Sequence, residues 1–155
     1  MFDSQMNRHV LLLTACFAAL GIMMASVPVW AAELSWRGTT KLVSSEGSHY
    51  KREGTAVFAN GEEARLSVDG NMGPNSTIAN GTSVADAMYR FADDSGFTLH
   101  FVSIWNGKLQ RNAGILADGI GRFAGMSGSA TALGETAAAG PIVVVWTGSY
   151  ELTAQ

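Results

Sequence analysis

Several residue types that staple, kink or activate a small protein are scarce here. Cysteine occurs once in 155 residues, at Cys16, and proline three times. Cys16 lies in an N-terminal stretch expected to be cleaved off. The mature domain is therefore expected to have no disulfide, no thiol nucleophile and no thiolate metal ligand. Histidine is nearly as rare: only His49 and His100 lie beyond that stretch, too far apart for a metal-ligand spacing. Charge is sparse, with a formal net value of −3. Lys51-Arg52 is the only basic pair, and Glu53 follows it. The basic patch of a nucleic-acid binder is thus missing, and no nucleic-acid partner is expected. There is no Gly-x-Ser-x-Gly elbow; Ser127 in Gly125-Met126-Ser127-Gly128 has the wrong spacing, and no nucleophile triad can be assembled. No internal repeat is evident and no segment has a helical period. The one helix-friendly stretch, Glu135 to Ala139, is too short to stand alone.

What is present begins with an export signal. Met1 to His9 carries Arg8, diluted by Asp3. Val10 to Met24 is an apolar stretch holding Leu11, Leu12, Leu13, Phe17, Leu20, Ile22 and Met23. Pro28 breaks it, and Val29-Trp30-Ala31 places modest or small side chains before a cut between Ala31 and Ala32. Two other readings compete for this segment. A retained anchor needs an apolar stretch of about 20 residues, longer than this one. A lipoprotein would use Leu13-Thr14-Ala15-Cys16 as its lipobox, but too few apolar residues precede Cys16. The layout favours a mature protein in a bacterial periplasm or beyond, with no stable membrane span after cleavage.

The remainder is punctuated like an all-β domain. Glycine is abundant, at 18 residues, and turn signals separate short alternating runs. In Leu34 to Val43, Leu34, Trp36, Thr40 and Leu42 share one face, with Arg37, Thr39 and Lys41 on the other. Ser44 to Ser48 reads as a loop. Gly54 to Ala59 and Ala64 to Asp69 flank Asn60-Gly61, a tight-hairpin signal. Gly70 to Gly81 reads as a long polar connection. Thr82 to Phe91 alternates Ala85, Ala87, Tyr89 and Phe91 against Val84, Asp86, Met88 and Arg90. Phe97 to Trp105 is apolar on both faces, as in a strand that is covered or lines a cavity. Lys108 to Leu116, Ser129 to Leu133 and Ile142 to Leu152 complete about eight strands in meander order. The expected fold is an antiparallel eight-stranded barrel over residues 32–155. A barrel of that size holds side chains or one small ligand.

Gly119-x-Gly121-Arg122-Phe123-x-Gly125-x-x-Gly128-Ser129-Ala130, followed by a last strand with Trp146-Thr147-Gly148-Ser149-Tyr150, resembles the allene oxide cyclase and dirigent-like β-barrels, in particular their small exported bacterial members. The matching stretch runs from Thr82 to Leu152. The resemblance implies the barrel fold and an isomerase or cyclase as an alternative function; related plant barrels form trimers, which implies a homo-oligomer. None of that group's catalytic residues maps onto a position here. The glycines also superficially resemble a phosphate loop, but no helix follows to receive a phosphate. Barrel turns and bulges explain them better.

Candidate site residues come from the strands. Trp36, Tyr89, Phe101, Trp105 and Trp146 fill a core or line a pocket at the barrel mouth. Trp36 and Trp146, on the first and last strands, are expected side by side where the barrel closes. Asp86 and Arg90 lie about 13 Å apart on one strand face; each pairs across strands or faces solvent, or, if that face points inward, the two are a polar anchor for a head group. His100 is either a hydrogen-bonded structural histidine or an acid–base group. Three functions follow: a carrier of a small hydrophobic ligand that needs no cofactor, a cyclase, or a packed barrel serving as an envelope interaction module.

Overall fold

Eight strands form in chain order and close into one antiparallel barrel, β1-β2-β3-β4-β5-β6-β7-β8, with β8 paired back onto β1. The computed structural model describes residues 31–77, 79–135 and 141–153. The expected export signal through residue 30, with Cys16, and positions 136–139 of the helix-friendly stretch lie outside them. The strands are β1 (Ala32–Glu46), β2 (His49–Phe58), β3 (Glu63–Met72), β4 (Asn80–Arg90), β5 (Gly96–Asn106), β6 (Leu109–Ile120), β7 (Met126–Glu135) and β8 (Ile142–Leu152). Ala32, the residue expected to follow the cut, is the first residue of β1.

Most strands run longer than their apolar alternation predicts. Of Ser44 to Ser48 only Gly47-Ser48 is a turn: β1 continues to Glu46, with Ser44 opposite Lys51 and Ser45 opposite Tyr50. A bulge between Leu42 and Ser44 resets the register there. Paired backbone, rather than side-chain propensity, holds these polar residues in the sheet. Likewise β3 and β4 extend into the segment read as a connection, which shrinks to residues 73–79.

The hairpin at Asn60-Gly61 forms with a three-residue loop. The Phe58 N–H donates to Glu62 O (2.8 Å), the Gly61 N–H donates to Phe58 O (2.9 Å), and Gly61 alone of the loop has a positive φ, +85°. This is the turn followed by a left-handed bulge residue that three-residue hairpins use. The glycine-rich run is structural. It carries a single 3-10 turn, Gly121–Phe123, between β6 and β7. Gly125 sits at φ +77°, and a Cβ there would lie 2.5 Å from Thr153 O.

The two ends of the barrel differ. At the end holding the β2–β3, β4–β5 and β6–β7 connections, large inward side chains fill the interior. Phe91 and Phe97 each lie 5.2 Å from Phe123 between ring centroids, and Tyr89 lies 4.7 Å from Phe97. Arg122 covers this plug, its guanidinium 4.6 Å from the Phe91 centroid and 5.0 Å from that of Phe123. Its Nη1 also contacts Glu62 Oε1 at 2.7 Å, tying two of the three connections together. At the other end the interior is hollow.

Candidate functional site

The hollow half follows from small residues at inward positions. Where the plug has phenylalanines, the opposite half has Gly38, Thr40, Ser83 and Ala87. The space they leave is a cavity of about 410 Å³ that opens beside the β1–β2, β3–β4 and β5–β6 connections. That volume lies within the range of about 300–1,000 Å³ typical of small-molecule sites. Leu66, Val68, Tyr89, Phe101, Val144 and Trp146 make most of its wall apolar.

Aromatic rings set the floor. Trp146 and Trp36 are cross-strand partners on β8 and β1 and stack at 5.8 Å, their planes 8° apart. Phe101 meets Trp146 edge-on at 5.4 Å. Beneath them the Trp36 Nε1–H donates to the Tyr89 hydroxyl oxygen at 3.0 Å. Tyr89 is fully buried, and desolvation drives its phenol far above the usual value, so it stays neutral. Trp105 stands at the rim, its Nε1–H bonded to the Thr77 carbonyl at 2.8 Å.

The polar groups of the wall are few and specific. Arg52 is the only ionisable cation among the described lining residues. Its Nε–H donates to Thr40 Oγ1 (3.0 Å) and its Nη2–H to the Thr40 carbonyl (3.2 Å). No carboxylate among the described residues lies within ion-pair distance of it. Burial lowers the tendency of this guanidinium to hold its proton, and the neighbouring Tyr50 works the other way; an arginine remains charged nonetheless. Tyr50 donates to Ser83 Oγ at 3.1 Å, and burial raises its phenol above the ordinary value. Gly70 makes room for that ring: a Cβ there would lie 2.7 Å from the Tyr50 hydroxyl. On the β5–β6 wall, the Ser103 hydroxyl donates to Asn112 Oδ1, and Gln110 Nε2 donates to the same oxygen at 2.8 Å. Asn112 Nδ2 is buried with no hydrogen-bond partner among the described residues.

Of the residues singled out from sequence, Tyr89, Phe101, Trp105 and Trp146 line the cavity and Trp36 lies under its floor. Arg90 and His100 do not belong with them. Strand alternation places both on the outer wall, on the opposite side of the sheet from Tyr89 and Phe101. Asp86 is outside as well, so Asp86 and Arg90 stand on the solvent-facing side of β4 and the inward-anchor reading of them fails. His100 instead bridges two aspartates across neighbouring strands, Nδ1 to Asp86 Oδ1 at 2.6 Å and Nε2 to Asp118 Oδ2 at 3.0 Å. These partners raise its pKa above the ordinary imidazole value, the Asp86 hydrogen bond most of all.

Sequence reasoning missed Arg52, Thr40, Tyr50, Ser83, Gln110 and Asn112. A signal for Arg52 existed. Ala56 and Phe58 define the inward phase of β2, and counting back by twos reaches Gly54, Arg52 and Tyr50. Starting the strand at Gly54 hid it.

The fold and the site together define a half-hollow antiparallel β-barrel with a single cation among the described residues of its cavity wall. No protein-family model matches the chain, no curated protein matches its sequence, and no solved structure matches it.

Proposed function

We propose that this protein is a non-enzymatic carrier that holds one small, largely apolar molecule inside the barrel. The observation that carries the reading is the cavity of about 410 Å³, floored by Trp146 and Phe101 and opening at one end only of a barrel whose other end is plugged. Apolar walls with a few placed polar groups are the usual composition of a small-molecule site. The cyclase alternative rests only on the resemblance of the glycine-rich motif to the allene oxide cyclase group. Its expected acid–base residue, His100, is on the outer wall, which favours the carrier. We further propose export with cleavage between Ala31 and Ala32, which would leave every strand intact.

Titration of the mature protein with 1-decanol, followed by tryptophan fluorescence, tests the carrier. Trp146 and Trp105 line the cavity, so occupancy should shift or quench their emission saturably. An unchanged spectrum together with an unchanged melting temperature would count decisively against it.

Self-association is a separate proposal. Val84 beside Val102 and Leu133 beside Val145 form exposed apolar pairs on the outer wall. Sedimentation of the mature protein at several concentrations gives the answer directly.

A further inference from the structure

We infer that the molecule held in the barrel is an amphipathic monoanion, a carboxylate with an apolar tail, whose head group is bound by Arg52 near the mouth. This rests on the carrier reading and adds the chemistry of its ligand.

The argument starts from an unbalanced charge. Arg52 is half-buried in a wall whose other described residues are uncharged. Removing a cation from water is costly unless an anion compensates it. Among the described residues the guanidinium bonds only to Thr40, which offers two neutral acceptors. Those two bonds use Nε and one hydrogen of Nη2, and they fix the plane of the group. Nη1 has no hydrogen-bond partner among the described residues. The Nη1–Nη2 edge is therefore an oriented, unused fork, the geometry that takes a carboxylate through two parallel bonds.

Position sets the polarity of the ligand. Arg52 pairs in register with Leu42, which is more than half exposed, so the head group sits near solvent. The aromatic floor lies deeper, where Trp146 packs on the buried Trp36. A tail would run from Arg52 down to that floor. One cation matches one negative charge. A phosphate dianion would leave excess negative charge in a partly dry site that offers only neutral groups besides. Asn112, across the cavity on β6, adds only a neutral polar side chain to the lining.

The test compares three probes of one tail length, decanoate, 1-decanol and decylammonium, by calorimetry and tryptophan fluorescence at neutral pH. Decanoate should bind the native protein roughly ten- to a hundredfold more tightly than 1-decanol, as a charge-assisted pair does, and decylammonium more weakly than either. In Arg52→Gln the preference for decanoate over 1-decanol should disappear, both affinities being measured on the same variant. In Arg52→Lys part of the preference should survive, because the charge remains while the fork is lost. Equal binding of decanoate and 1-decanol by the native protein would overturn the anionic head group and leave the carrier standing. A preference for decanoate that persists in folded Arg52→Gln would overturn the role of Arg52. Absence of binding by all three would overturn both readings. The native comparison decides the ligand class even if the Gln variant does not fold.

Discussion

Trp36 and Trp146 face each other across the seam where the barrel closes, stacked at 5.8 Å with their planes 8° apart. The two rings divide their tasks. Trp146 presents a surface to the cavity, while Trp36 is 2% exposed and bonds the buried Tyr89 hydroxyl. Trp36→Ala should therefore cost about 3–5 kcal/mol in urea unfolding, the range for deleting a large buried aromatic. Trp36→Phe should cost less, about 1–2 kcal/mol, chiefly for the lost indole donor. If Trp36→Ala unfolds at the native midpoint, the seam does not hold the barrel together.

Filling the cavity should separate binding from stability. Ala87 is buried and lines the hollow. Ala87→Leu puts three more carbons into empty space instead of into a packed core. We expect a stability change within about 1 kcal/mol and a loss of 1-decanol affinity of roughly tenfold or more. Calorimetry and thermal melting on the same sample read both.

His100 gives stability a pH dependence. Its imidazolium is favoured in the folded state by Asp86 and Asp118. A group whose folded pKa is raised contributes fully below its unfolded value, about 6.5, and that contribution fades as pH rises through the folded value. His100→Gln should thus be less stable than the native protein near about pH 5.5 and nearly equal to it near about pH 9. The site is partly exposed, so the difference should stay under about 1 kcal/mol. Equal denaturation midpoints for the two proteins at both pH values would contradict this. Ligand affinity should not change, because the imidazole is on the outer wall.

Arg122 closes the plugged end through Phe91, Phe123 and Glu62. Arg122→Ala should lose about 1 kcal/mol, the combined scale of an exposed cation–π contact and a surface ion pair. Part of that loss should vanish in high salt, which screens the ion pair. Unfolding curves at two salt concentrations distinguish the parts.

The fold was legible in the sequence because a barrel writes its inside and outside at period two. Ala85, Ala87 and Tyr89 spell the inward face of β4, Phe91 continues it just past the strand, and all four are buried. Asn60-Gly61 marks a hairpin that forms. The site was legible only in its aromatics. Its polar members were hidden because an inward Arg52 or Asn112 breaks the apolar alternation that defines a strand. For a related reason the sequence leaves open which side of the sheet carries Arg90 and His100. Apolar residues lie on both faces of β4 and β5, with Val84, Val102 and Ile104 exposed, so composition alone did not say which face was the interior.

The meander has a kinetic consequence. Seven of the eight strand pairings join neighbours in the chain, and only β1 with β8 joins the two ends. Local hairpins close small loops, whereas this seam closes nearly the whole domain and has the largest loop entropy to overcome. A ribbon of paired strands with two free edges can therefore form ahead of the barrel, and such edges invite pairing with another chain. The Trp36–Trp146 stack exists only after the edges meet. Its fluorescence signature therefore times the moment at which the chain stops being sticky, and refolding yield should depend on protein concentration up to that moment and not after it.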